Sequence, residues 1–154
     1  MTTRLKWPQV SPEGYKALLE FEKYTHQAGL EKPLLDLIRL RVSQINNCAY
    51  CIDMHWKDLR AAGETEQRLS LLSAWREYPE FNDRERAALA WAESLTRIAT
   101  GDVTTADFEA ARKIFAEKDL IELSLAIAAI NAWNRMGVAF RPEPGRYKPA
   151  MHAV

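Results

Sequence analysis

A chain of 154 residues fits one compact domain that can bury roughly two-thirds of its unfolded surface without a disulfide staple. Lys plus Arg and Asp plus Glu each total 21, and the charges alternate in sign instead of forming blocks, so nothing recruits nucleic acid or anionic lipid. The start, MTTRLKWPQVSPEGYK, lacks the apolar stretch of a secretory signal, and no segment approaches the ~20 apolar residues that span a bilayer. The expectation is a cytoplasmic protein with no membrane association.

Apolar positions recur at helical spacing along the chain, strand-like alternation is absent, and Gly and Pro fall between the periodic segments. The fold class is therefore all-α, a single-domain bundle of about six to seven helices over residues 1–154. Its core covers about 15–140 and its tail, 141–154, is extended. Ser11 and Pro12 open a first helix that Gly29 closes; Pro33 opens a second, LLDLIRLRVSQI, that ends near Asn46 and Asn47. A third runs from about Cys48 to Ala62, with Gly63 suited to its left-handed cap, and Thr65 to Leu72 forms a short fourth. Trp75 to Phe81 reads as a loop. Asn82 with Glu85 resembles a capping box for a helix to about Ala99, Gly101 ends it, and Thr104 or Thr105 caps the next through Ala116. The last helix, about Leu120 to Met136, is apolar on nearly every face, as suits a helix covered by others or by a second subunit.

Cys48, Cys51 and His55 are spaced i, i+3 and i+7, so at ~100° per residue they fall within an arc of about 60° on one helix face. The two thiols lie in the first turn after the Asn46-Asn47 break, where free N–H groups and the helix dipole favour a thiolate. A thiolate attacks peroxides and disulfides, and a second cysteine one turn away can resolve the sulfenic acid or mixed disulfide that results. Two alternatives compete: inert core cysteines, and a zinc site using C-x-x-C, His55 and Asp36. One short helix is a poor tetrahedral cage, and no second Cys/His pair is present, so no metal and no cofactor is expected. Covalent haem would need His directly after Cys51, where Ile52 stands. Asp36, inside the apolar run LLDLI, faces either solvent or a polar site. Arg39 and Arg41 are expected to snorkel or pair at the surface, His26 and His152 to lack partners, and the five Trp residues to make core and subunit contacts.

The stretch DLIRLRVSQINNCAYCIDMH, from Asp36 to His55, resembles the signature of the AhpD-like alkylhydroperoxidases within the carboxymuconolactone decarboxylase family. That signature places an acidic residue twelve positions before C-x-x-C and His four after the second cysteine; Asp36, Cys48, Cys51 and His55 hold those places, with Ser43, Ile45 and Asn46 matching the preceding S-x-I-N. The resemblance extends more weakly over about Tyr15 to Phe140. It implies symmetric trimers or hexamers that reduce hydroperoxides through the dithiol, with re-reduction by a thiol or lipoyl-type protein. By the same resemblance Cys51 meets peroxide, Cys48 is its disulfide partner, and His55 with Asp36 relays protons. Two positions depart from the pattern: the acid is usually Glu, and Tyr50 replaces a His between the cysteines. Tyr50 is an auxiliary candidate, since a phenol of pKa ~10 donates a hydrogen bond but is a poor base at neutral pH. Other functions compatible with the residues are an acid–base decarboxylase using His55 and Asp36, a thiol-based oxidant sensor, and a zinc-holding module.

Overall fold

The computed structural model describes residues 2–149. Eight α-helices and no strand occur among them: α1 (Trp7–Val10), α2 (Pro12–Gln27), α3 (Lys32–Ile45), α4 (Ala49–Ala61), α5 (Glu66–Leu71), α6 (Asp83–Thr96), α7 (Thr105–Arg112) and α8 (Glu117–Phe140). The all-α class stands, and the helix number exceeds the expected six to seven by the short α1. Pro8 starts that single turn, and Trp7 packs edge-on against Tyr15 at 5.2 Å between ring centroids.

Helix boundaries follow local chemistry. Pro33 sits in the first turn of α3, and Asn47, in the left-handed region at φ 55°, breaks the chain before α4. Gly63, at φ 94°, ends α4 in a conformation a β-carbon would oppose. Asn82 and Glu85 form a complete capping box at α6, and Thr104, not Thr105, forms another with Asp107 at α7.

The last helix departs most from expectation. It begins at Glu117, because Glu117 and Asp119 make a charged first turn that the dipole favours, and runs through Gly137 to Phe140 before Arg141 turns left-handed. The apolar α8 and α3 form the centre. From Leu34 to Ser43 every residue of α3 is buried, with α4, α6 and α8 packed around it. Arg39 and Arg41 are consequently buried, contrary to the surface placement expected for them; each is held by a carboxylate from another helix. No helix of the described residues is long and apolar enough to cross a membrane.

Candidate functional site

Cys48 is the N-cap residue of α4, in extended conformation, and its N–H donates to Ser43 O at 3.1 Å. Cys51 lies one turn on, and the two sulfurs form a disulfide across a Cα–Cα distance of 5.3 Å. Cys48 stands just outside the regular helix, so the strict one-face relationship belongs to Cys51, His55 and Leu59, the buried stripe of α4. Both cysteines are buried. Against both sulfurs lies Gly137 of α8, where a β-carbon would come within 2.5 Å of Cys48 Sγ and 3.3 Å of Cys51 Sγ.

A cavity of about 500 Å³ opens beside this disulfide, with Cys51 but not Cys48 on its wall. Trp7, Tyr15 and Trp133 form one side, with ring centroids 5.2–6.0 Å apart. These two Trp residues therefore line a site, beyond the packing role expected of them. The tail adds Pro142, Tyr147 and Pro149 to the cavity wall and is tied to α4: Tyr147 OH donates to Asp58 Oδ1 at 2.8 Å, and Lys57 Nζ donates to the carbonyls of Gly145 and Tyr147. His152 lies outside the described residues.

The polar side of the cavity centres on Arg39. Its Nη1 donates to Asp36 Oδ1 at 3.2 Å, and its Nη2 lies 2.9 Å from Glu22 Oε1 and donates to Thr25 Oγ1 at 3.0 Å. Lys32 Nζ occupies the other oxygen of Asp36. Asp36 is thus turned to the polar site and neutralised on both oxygens. His26, expected to lack a partner, lies 3.2 Å from Glu22 Oε1. For Glu22, burial raises the pKa, but the His26 hydrogen bond and the charge of Arg39 outweigh it and hold the carboxyl below its ordinary value.

His55 is 6 % exposed, and its Nε2 is buried without a hydrogen-bond partner. Burial, and secondarily the Arg39 charge, push it down to about 4 against the opposing pull of Asp36 and Glu22, so at neutral pH it is an uncharged imidazole. Burial also raises the Tyr50 phenol, which keeps it protonated as a donor. The structure brings Asp36, Tyr50, Cys51 and His55 onto one cavity wall, with Cys48 bonded behind. Glu22, Arg39, Tyr147 and Gly137 join them unanticipated. Only Arg39, three residues after Asp36 in an apolar helix, and Gly137, a lone glycine in an apolar run, left a sequence signal. Among the described residues no three His, Cys, Asp or Glu side chains gather as a metal-binding group.

Residues 12–94 match the model of the carboxymuconolactone decarboxylase family. The uncharacterized protein YdfG of Bacillus subtilis is 40% identical over 139 residues, which cover 90% of this chain and 95% of that one. A solved structure from Agrobacterium tumefaciens, of unknown function and provisionally assigned to AhpD-type antioxidant defence, superposes with a TM-score of 0.91 at 40% identity, covering 95% of this chain and all of the other. An uncharacterized peroxidase-related protein from Silicibacter sp. TM1040 gives 0.77 at 25% identity, over 87% of this chain and 71% of that one. With the family model matching more than half its length and a full-length relative at that identity, the chain belongs to the AhpD-like group of the carboxymuconolactone decarboxylase family.

Proposed function

We propose that this chain is a cytoplasmic thiol-dependent peroxidase, a dithiol–disulfide oxidoreductase that reduces hydroperoxides. The observation that carries the reading is the Cys48–Cys51 disulfide at the end of a cavity that exposes Cys51 beside an uncharged His55. Cys51 thiolate attacks the outer peroxide oxygen, giving Cys51 sulfenic acid and an alkoxide; the thiol proton passes through His55 to the alkoxide, which leaves as alcohol. Cys48 then displaces water from the sulfenic acid and the disulfide forms. A thiol or lipoyl-type donor returns both sulfurs to thiols, and its reach must be narrow because both are buried. Asp36, tied to Lys32 and Arg39, fixes the polar wall.

Free-thiol titration of reduced protein after one equivalent of tert-butyl hydroperoxide tests this. Two thiols should disappear for each peroxide consumed. Thiols that survive while peroxide persists would return the site to acid–base chemistry at His55 and Asp36.

The same reading includes assembly as a trimer or hexamer. Ile121 and Val138 of the apolar α8 are 60% and 45% exposed, a surface that a second copy would cover. Sedimentation at micromolar concentration should show no stable monomer.

A further inference from the structure

Three buried polar atoms around the cavity lack hydrogen-bond partners: His55 Nε2, Glu22 Oε2 and Arg39 Nε. Orphaned buried groups are uncommon and unfavourable, and two of these are complementary, an imidazole nitrogen and a carboxylate oxygen. The two cavity carboxylates differ in a way that decides which can answer His55. Asp36 has a cation on each oxygen, Arg39 on Oδ1 and Lys32 on Oδ2. Glu22 has both of its partners, Arg39 and His26, on Oε1 and leaves Oε2 free.

We propose that Glu22 of α2 is the positioning carboxylate of the relay: its Oε2 accepts the Nε2–H of His55, directly or through one water, and holds the imidazole while it carries the Cys51 proton. The assignment rests on the dithiol reading above and moves the acidic partner of His55 from α3 to α2. The other titratable and charged side chains that line the cavity with His55 are Tyr15 and His26 on α2, Asp36, Arg39 and Lys32 on α3, Tyr50 and Asp58 on α4, and Tyr147 in the tail. From α8 the cavity receives only Ile130, Trp133, Met136 and Gly137. Within this set Glu22 alone offers a buried carboxylate oxygen with no partner. Glu22 acts on the thiol through His55.

The test compares the wild type with E22Q, E22D and D36N by nitrogen-15 NMR of the His55 imidazole at neutral pH, alongside the rate of thiol loss with tert-butyl hydroperoxide. In the wild type the Nε2–H tautomer should dominate. E22Q should shift the tautomer balance and slow thiol loss by ~10²-fold, the lower range for lost proton-transfer help. E22D keeps the charge beside Arg39 and should recover part of both, whereas D36N should leave the tautomer in place. An imidazole spectrum unchanged in E22Q and E22D, or moved equally by D36N, overturns the assignment. A wild type whose thiols ignore peroxide would refute the dithiol reading separately, while the imidazole comparison still decides the Glu22–His55 pairing.

Discussion

Gly137 lies so close to Cys48 that a β-carbon on it would stand 2.5 Å from the sulfur. In an exposed helix, Gly→Ala gains about 1 kcal/mol. Here the added methyl meets a sulfur fixed by its bond to Cys51, and overpacking a tight core costs typically 1–3 kcal/mol. G137A should therefore be less stable than wild type when oxidised and closer to it when reduced, because a free Cys48 thiol can rotate away. Thermal unfolding with and without reductant measures both, and a variant as stable as wild type in each state would refute the contact.

Part of this site is legible because Cys51 and His55 share one face of α4 and Cys48 is its N-cap. The spacing of Cys48, Cys51 and His55 fixes their neighbourhood whatever the rest of the fold does, and Asp36 follows from the family signature. Arg39 was misread because a long basic side chain normally reaches water; the burial of all ten residues from Leu34 to Ser43 became visible only with α4, α6 and α8 in place. Glu22 carries no local mark of its role, since its tie to Arg39 joins two helices across a turn. The extension of α8 past Gly137 was obscured for a related reason. Glycine reads as a helix end unless the sulfur packed on it is known.

His55 imposes a pH dependence on stability. Its folded value is about 4 against 6.5 for the free group, so between these limits the unfolded chain binds a proton that the native state refuses. Stability is thus fully present above pH 6.5 and declines as pH falls toward 4. Between pH 6.5 and 4.5 the loss should be about 2 kcal/mol, because the unfolded imidazole is already half protonated at the upper limit. Urea unfolding at pH 6.5 and 4.5 measures it, and H55Q should flatten that slope. An equal slope in the variant would mean that burial of His55 is not its source.

Glu93 supplies a second, lower transition. Burial raises its carboxyl, but hydrogen bonds donated by Trp75 Nε1, Arg76 and Arg41 outweigh this and bring it to about 2. Its contribution is present above pH 4.5 and lost as pH falls toward 2. E93A strands the buried Arg41, and uncompensated buried charges cost about 3–5 kcal/mol. Because Glu93 is not on the cavity wall, the folded E93A protein should consume peroxide at the wild-type rate; a large kinetic defect in fully folded protein would tie this cluster to the site.

The two sulfurs should fail differently when each is replaced by Ser, because the cavity reaches Cys51 while Cys48 sits behind it against α8. C51S should abolish peroxide consumption, since the remaining thiol has no open approach. C48S should retain a first attack, leaving Cys51 as a sulfenic acid with no neighbouring thiol to condense with, so that one turnover survives, later ones collapse and over-oxidation follows. H55A should slow that first attack by ~10²–10⁴-fold, the usual worth of general acid–base help, without preventing the disulfide. Intact-mass measurement of each Ser variant after one equivalent of peroxide decides the order. An oxygen adduct on Cys48 in C51S, with an unreactive Cys51 in C48S, would reverse the roles. If both variants turn over like wild type, the buried pair is a structural cross-link and the chemistry belongs elsewhere on the cavity wall.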